Sequence, residues 1–168
     1  MILKNFKKIF SFNVLIVLII FAIDRISKIY VIYLDNINLN SELFSSEILN
    51  IYLIWNEGIA FGLFSFNEKN LYTALTILIA LVILIIFYMA STSDGLKKYS
   101  LLMILGGALG NIFDRIFYKA VPDFIDFHIQ DFHWFIFNVA DIFITLGVIF
   151  MIILELFFNN KEKKNEIF

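Results

Sequence analysis

Two aspartates stand where a carboxylate is costly and where chemistry would explain it. Asp141 lies in "FNVADIFITLGVIF", residues 137–150, a run suited to a lipid bilayer that also carries Asn138 near its start. A carboxylate in hydrocarbon costs roughly 2.5–3.5 kcal/mol on insertion scales. Asp123 follows Pro122, the only proline of the chain, in "VPDF". Two close carboxylates cannot both ionise cheaply, so one pKa rises and the pair shares a proton. The charged member can then take a proton from water while the neutral member donates to a carbonyl oxygen. That is amide hydrolysis of the aspartic type, without a covalent intermediate. Nearby asparagines can hydrogen-bond a substrate backbone or a developing oxyanion. The chain has no cysteine, which removes thiolate chemistry, disulfides and Cys-based metal sites. His128, Asp131 and His133 fit no standard metal spacing and lie in a short loop, so no metal is expected.

The elements that must position these acids are membrane helices. Of the 168 residues, 61% are hydrophobic and 21 are Phe, against ~45–50% apolar in ordinary soluble domains. Without an internal repeat, a low-complexity linker or a composition break, residues 1–168 read as one polytopic membrane domain. The expected fold is mainly α: four transmembrane helices at about 9–34, 70–93, 99–117 and 135–158, with outer loops at about 35–69 and 118–134. Lys4, Lys7 and Lys8 precede the first apolar run as they would in a signal peptide. The run is long and no small-residue cleavage site follows, so it reads as a retained helix. Lys97, Lys98, Lys161, Lys163 and Lys164 share a side with the N-terminal lysines, which makes both termini cytoplasmic. The outer loops carry only Lys69 and Lys119 against many acids. "EILNIYLIW", the turn-like "NEG" and "IAFGLF" predict a small hairpin or sheet at the outer surface, partly in the headgroup layer.

Depth then gathers the polar residues. Asp24 and Lys28 are four apart in the outer half of helix one and can pair. In "GGALGNIFDR", Gly107, Asn111, Asp114 and Arg115 follow a helical stripe toward the outer end of helix three. Asn138 and Asp141 share a face in the first turns of helix four. Proline disfavours helix in the residue before it, so helix three should stop by Pro122 and hold Asp123 at the outer interface, within reach of Asp141.

Plainer readings stand beside these. Asp24 with Lys28 is a structural ion pair or a functional one. The Gly106–Gly107 pair fits close helix packing. Asp114 beside Arg115 fits an ion pair that anchors a helix end, with Arg115 the better ligand contact. Asp126 and Asp131 read as solvated loop charges, and Glu155 as snorkelling or pairing with a C-terminal lysine. Two other functions compete with a peptidase: a small channel or transporter, and a helix-bundle assembly protein. Intramembrane charges suit an ion path, but no polar line continues into the inner half. The Gly-x-Gly-Asp motif of another intramembrane aspartyl protease class is absent.

The motifs "DRISK", "NEGIAF", "GGALGNIFDR", "VPDFIDF" and "FNVAD", in this order over nearly the whole chain, closely resemble the lipoprotein signal peptidase (signal peptidase II) family. The resemblance implies a bacterial inner-membrane aspartic endopeptidase, multi-pass, with its active site toward the extracytoplasmic face. It would remove the signal peptide of diacylglyceryl-modified prolipoproteins just before the lipidated cysteine. The resemblance places the catalytic pair at Asp123 and Asp141. It places Asp24, Lys28, Asn56, Gly58, Gly107, Asn111, Asp114, Arg115, Asn138 and Ala140 around the substrate and inhibitor pocket or as its braces. Prolipoproteins, membrane lipids and the cyclic-peptide inhibitor globomycin are the implied partners, with no cofactor and no nucleic acid. Two departures stand out: Pro122 replaces an expected β-branched residue, and Arg25 stands where Gln is commoner and bears on pairing in helix one.

Overall fold

In the computed structural model, described for residues 2–37, 42–57, 68–130 and 132–165, helices and a small sheet alternate along the chain. The order is α1 (Ile2–Ile37), β1 (Phe44–Ser45), β2 (Leu49–Asn56), α2 (Glu68–Thr92), α3 (Gly95–Phe117), β3 (Val121–Ile129), β4 (Phe132–Phe137) and α4 (Val139–Asn165). Within the described residues, Tyr72–Thr92, Gly95–Phe117 and Val139–Phe157 are long and apolar enough to cross a membrane. The fold is thus mainly helical, with three apolar helices and a small antiparallel sheet. Helix α1 is 36 residues long and carries Asp24, Arg25 and Lys28.

Helix α3 is the inner element and packs against α1, α2 and α4. Its small residues permit that. A Cβ placed on Gly107 would lie 2.5 Å from the Ala140 carbonyl oxygen, and one on Gly147 would lie 2.7 Å from the Ser100 carbonyl oxygen. These contacts bring the α3 and α4 backbones together, the packing expected of "GG". Helices α2 and α4 turn large apolar side chains outward, among them Leu84, Phe87, Phe150 and Phe157. At the far end from the polar residues, Ala90, Leu101 and Leu102 form a buried cluster with Ile16, Ile86 and Met151.

The sheet has order β1-β2-β3-β4, antiparallel throughout. Strand β2 covers most of "EILNIYLIW", as its β-formers predict, but its hairpin partner is β1, which precedes that stretch and pairs Phe44 with Ile51 and Ser45 with Asn50. The segments "IAFGLF" and Gly58 lie outside the described residues. The second hairpin was not expected. Strands β3 and β4 occupy most of the stretch expected to be the outer loop 118–134, with Asp131 outside the described residues, and Phe135–Phe137 belong to β4, so α4 begins at Val139 and not near 135. The bulky run "FHWFIF" pairs with β3, where Ile125 faces Phe137 and His128 faces His133. Asp126 is consequently not a solvated charge: it is fully buried.

Helix α3 ends at Phe117, before the proline is reached. The Tyr118 N–H donates to the Asp114 carbonyl oxygen (2.7 Å), and Lys119 then takes a left-handed conformation, φ 61°. A left-handed residue just past a helix end is a common stop signal, usually supplied by glycine. Pro122 enters as the second residue of β3, a position that tolerates the missing donor near a strand start.

Gly107→Ala is expected to force α3 from α4 at the Ala140 carbonyl, costing about 1–3 kcal/mol. Thermal unfolding in detergent should register it as a lowered Tm.

Candidate active site

The site is built from a buried charge cluster outward. Lys28 and Asp24, one helical turn apart, are both fully buried on α1. An ammonium has three donors and cannot leave them unpaired in an apolar bundle. Lys28 Nζ meets Asp24 Oδ1 at 3.0 Å, Asp114 Oδ2 at 2.7 Å and Asn111 Oδ1 at 2.8 Å. Arg25 completes the cluster. Its guanidinium grips both Asp114 oxygens, with Nη2 2.7 Å from Oδ2, and donates to Asp24 Oδ2 at 3.0 Å. One guanidinium face is covered by Phe113, whose ring centroid lies 4.9 Å away. Two cations and two carboxylates therefore cancel inside the fold, the condition under which buried charge is tolerated.

This cluster sets the orientation of the proposed catalytic groups. Because Asn111 offers its oxygen to Lys28, its amide nitrogen points the other way and donates to Asp141 Oδ1 at 2.8 Å. Asp24 Oδ1 also accepts the Ala140 N–H at 3.0 Å. That N–H belongs to the first turn of α4 and has no partner within its own helix.

Asn138 joins the two acids. It precedes α4 and forms a reciprocal cap: Asp141 N–H donates to Asn138 Oδ1 (3.2 Å), and Asn138 N–H donates to Asp141 Oδ2 (3.1 Å). This is the capping-box arrangement, with Asn and Asp in place of the usual Ser/Thr and Glu/Gln. The Asn138 side-chain nitrogen, meanwhile, donates to Asp123 Oδ1 at 2.5 Å. Asn56 on β2 donates to the other Asp123 oxygen at 2.8 Å. Each oxygen of both carboxylates thus accepts an amide hydrogen. Burial pushes the Asp123 carboxyl above the ordinary carboxylate range. The Asn56 and Asn138 hydrogen bonds pull the other way, and the Asp141 charge adds to the rise.

Most residues singled out in the sequence converge here. Asp24, Lys28, Asn56, Asn111, Asp114, Asn138, Ala140 and Asp141 join Asp123 in one connected network. Gly107 lies against Ala140 as a packing residue. The Asp114–Arg115 pair is a correction: Asp114 is bound by Arg25 and Lys28 instead. Consecutive helical residues point about 100° apart, and Arg115 donates to the Asn111 carbonyl oxygen at 3.4 Å. The contacts of Arg25 with Asp24 and Asp114 exceed what the sequence shows, where its departure from Gln is the only signal.

Comparison with known proteins decides the affiliation. A family model described as signal peptidase (SPase) II matches residues 16–158. The chain belongs to the signal peptidase II family. A lipoprotein signal peptidase of Pelagibacter ubique is 50% identical over 164 residues, 98% of this chain and 96% of that protein. One from Anaplasma phagocytophilum is 41% identical over 145 residues, covering 86% and 91%. Two solved structures titled as a bacterial membrane enzyme are 28% identical to the chain. Their TM-scores are 0.66 and 0.68, and 87% and 88% of this chain aligns with 88% and 94% of theirs. A signal peptidase II is a hydrolase embedded in a membrane, which sets aside the channel and assembly readings.

For this signal peptidase II, Lys28→Met leaves Asp24 and Asp114 to share Arg25 alone, with one negative charge uncompensated, and should cost ~3–5 kcal/mol. Arg25→Gln, which leaves Lys28 in place, should cost less, about 1–3 kcal/mol. Thermal unfolding of the two variants in detergent checks that order. A second expectation concerns pH. Below about pH 4 Asp123 is protonated both folded and unfolded. As pH rises through that range the unfolded chain ionises first, because the folded pKa is raised. The wild type therefore loses stability relative to Asp123→Asn until pH passes the folded value. Comparing the two Tm values near pH 4 and near pH 8 tests the sign.

Proposed function

We propose that the chain is an aspartic endopeptidase that removes the signal peptide of diacylglyceryl-modified prolipoproteins just before the lipidated cysteine, with Asp123 and Asp141 as its catalytic dyad. The observation that carries this is the double role of Asn138, which hydrogen-bonds one oxygen of each acid. Two carboxylates tied to one residue, in a buried setting, favour a shared proton. The ionised member takes a proton from the attacking water while the protonated member donates to the scissile carbonyl oxygen. Collapse of the tetrahedral intermediate then returns a proton to the leaving nitrogen. No covalent enzyme intermediate is needed. Asn56, Asn111 and Asn138 hold the carboxylates in place, while Asp24, Lys28 and Asp114 act behind them as positioning residues.

The same reading takes α1 as a fourth span, so that residues 1–168 form one polytopic domain with both termini cytoplasmic. Lysines at one end of the helices support that orientation. The dyad then lies toward the extracytoplasmic face of a bacterial inner membrane. There a lipid-modified precursor can enter sideways, its acyl chains against apolar helix faces and its scissile bond near the headgroups. The exposed aromatic residues of the sheet, Phe132, Trp134 and Phe135, suit contact with membrane lipids. Globomycin, as a cyclic peptide inhibitor, would compete for the same site. Gly58 and Arg115 remain candidates for substrate contact.

Asp123→Asn and Asp141→Asn, made separately, should each lower processing by several orders of magnitude at wild-type expression. Accumulated precursor lipoprotein in cells measures this. Normal processing by either variant would overturn the dyad.

A further inference from the structure

The sequence holds two histidines, His128 and His133, and they face each other across one hairpin. Their rings stack with centroids 5.0 Å apart. Asp126, fully buried two residues before His128, lies 2.8 Å through Oδ2 from His133 Nδ1. Tyr52 on β2 donates to the same oxygen at 3.3 Å. The remaining atoms are left over: Asp126 Oδ1 and His128 Nδ1 are both buried without a hydrogen-bond partner among the described residues. A buried carboxylate oxygen without a partner costs ~1–3 kcal/mol or more, so something is expected to occupy it. One ligand atom from each of the three residues falls within 4.8 Å of the others.

We infer that Asp126, His128 and His133 bind a divalent transition-metal ion of the zinc class. Two imidazoles and one carboxylate suit such an ion, whereas magnesium and calcium favour all-oxygen sets. Tetrahedral zinc places its ligands about 3.3 Å apart, so ligand atoms now within 4.8 Å of one another close by up to about 1.5 Å as the side chains rotate onto the ion. A neutral imidazole that ligates through the nitrogen facing Asp126 carries its hydrogen on the other ring nitrogen, so binding needs only the tautomer with His133 Nδ1 free. The half-exposed His133 ring leaves a path from solvent and room for a water as fourth ligand. Sequence spacing conceals this site because His128 and His133 meet only as cross-strand partners and Asp126 is the acid that reaches them among the described residues; Asp131 lies outside those residues. The ion would pin β3 to β4, the hairpin that carries Asp123 at one end and leads into Asn138 at the other. Its role is structural and separate from the proposed dyad.

The test uses the full chain in detergent, without a polyhistidine tag, titrated with zinc chloride and separately with cobalt chloride. The expected result is one ion per chain, a tetrahedral cobalt absorption spectrum, and at least about tenfold weaker binding in His128→Ala and in His133→Ala. His133→Ala removes a half-exposed ring and leaves Tyr52 on the same Asp126 oxygen, so the fold should be kept, checked by a single cooperative unfolding transition without metal. Zinc uptake that is absent, or equal in wild type and both variants, overturns the inference. So does equal affinity for magnesium, which would mark a carboxylate-only surface site.

Discussion

A lysine ammonium with no exposed surface is the constraint around which the rest is arranged. In an apolar bundle it must find three acceptors, and they come from α1 and α3 together: Asp24, Asp114 and Asn111. Each acceptor then acquires a second duty. Asp24 caps the start of α4 at Ala140, Asp114 receives Arg25, and Asn111 presents its nitrogen to Asp141. Replacing the cluster by apolar side chains would often be neutral for stability in other proteins. Here it also fixes which end of an asparagine faces a carboxylate, a task no apolar group performs.

Helices and sheet divide the work. The helices α1, α3 and α4 supply the charge cluster and Asp141, and the sheet supplies Asp123 and Asn56. The proposed dyad therefore spans two kinds of structure. Close approach of α3 to α4 at Gly107 holds one side, and the β2–β3 ladder, where Ile54 pairs with Asp123, holds the other.

Local spacing made half of this legible. A four-residue interval on a helix puts Asp24 beside Lys28 whatever the rest of the chain does, and a depth count along each helix brought Asn111 and Asp141 to one level. Contacts set by strand register were not legible. The run 118–134 reads as an outer loop between helices because its acids and aromatics do not alternate cleanly, in keeping with the register shift between Asp126 and His128. Asp126 reads as a solvated charge in the sequence because its partners, Tyr52 and His133, lie on other strands. Arg25 was visible as a departure, but the value of a guanidinium there depends on Asp114, distant in sequence and adjacent only after α1 and α3 pack.

Only Asn138 separates the last residue of β4 from the first of α4. The junction has no slack, and that single residue is bonded to both acids. A bilayer fluctuates in thickness and tilts the helices within it. Any such tilt of α4 is transmitted through Asn138 to Asp123 as well as Asp141. The two carboxylates therefore travel as one body, and their separation is insulated from the movement of the membrane around them.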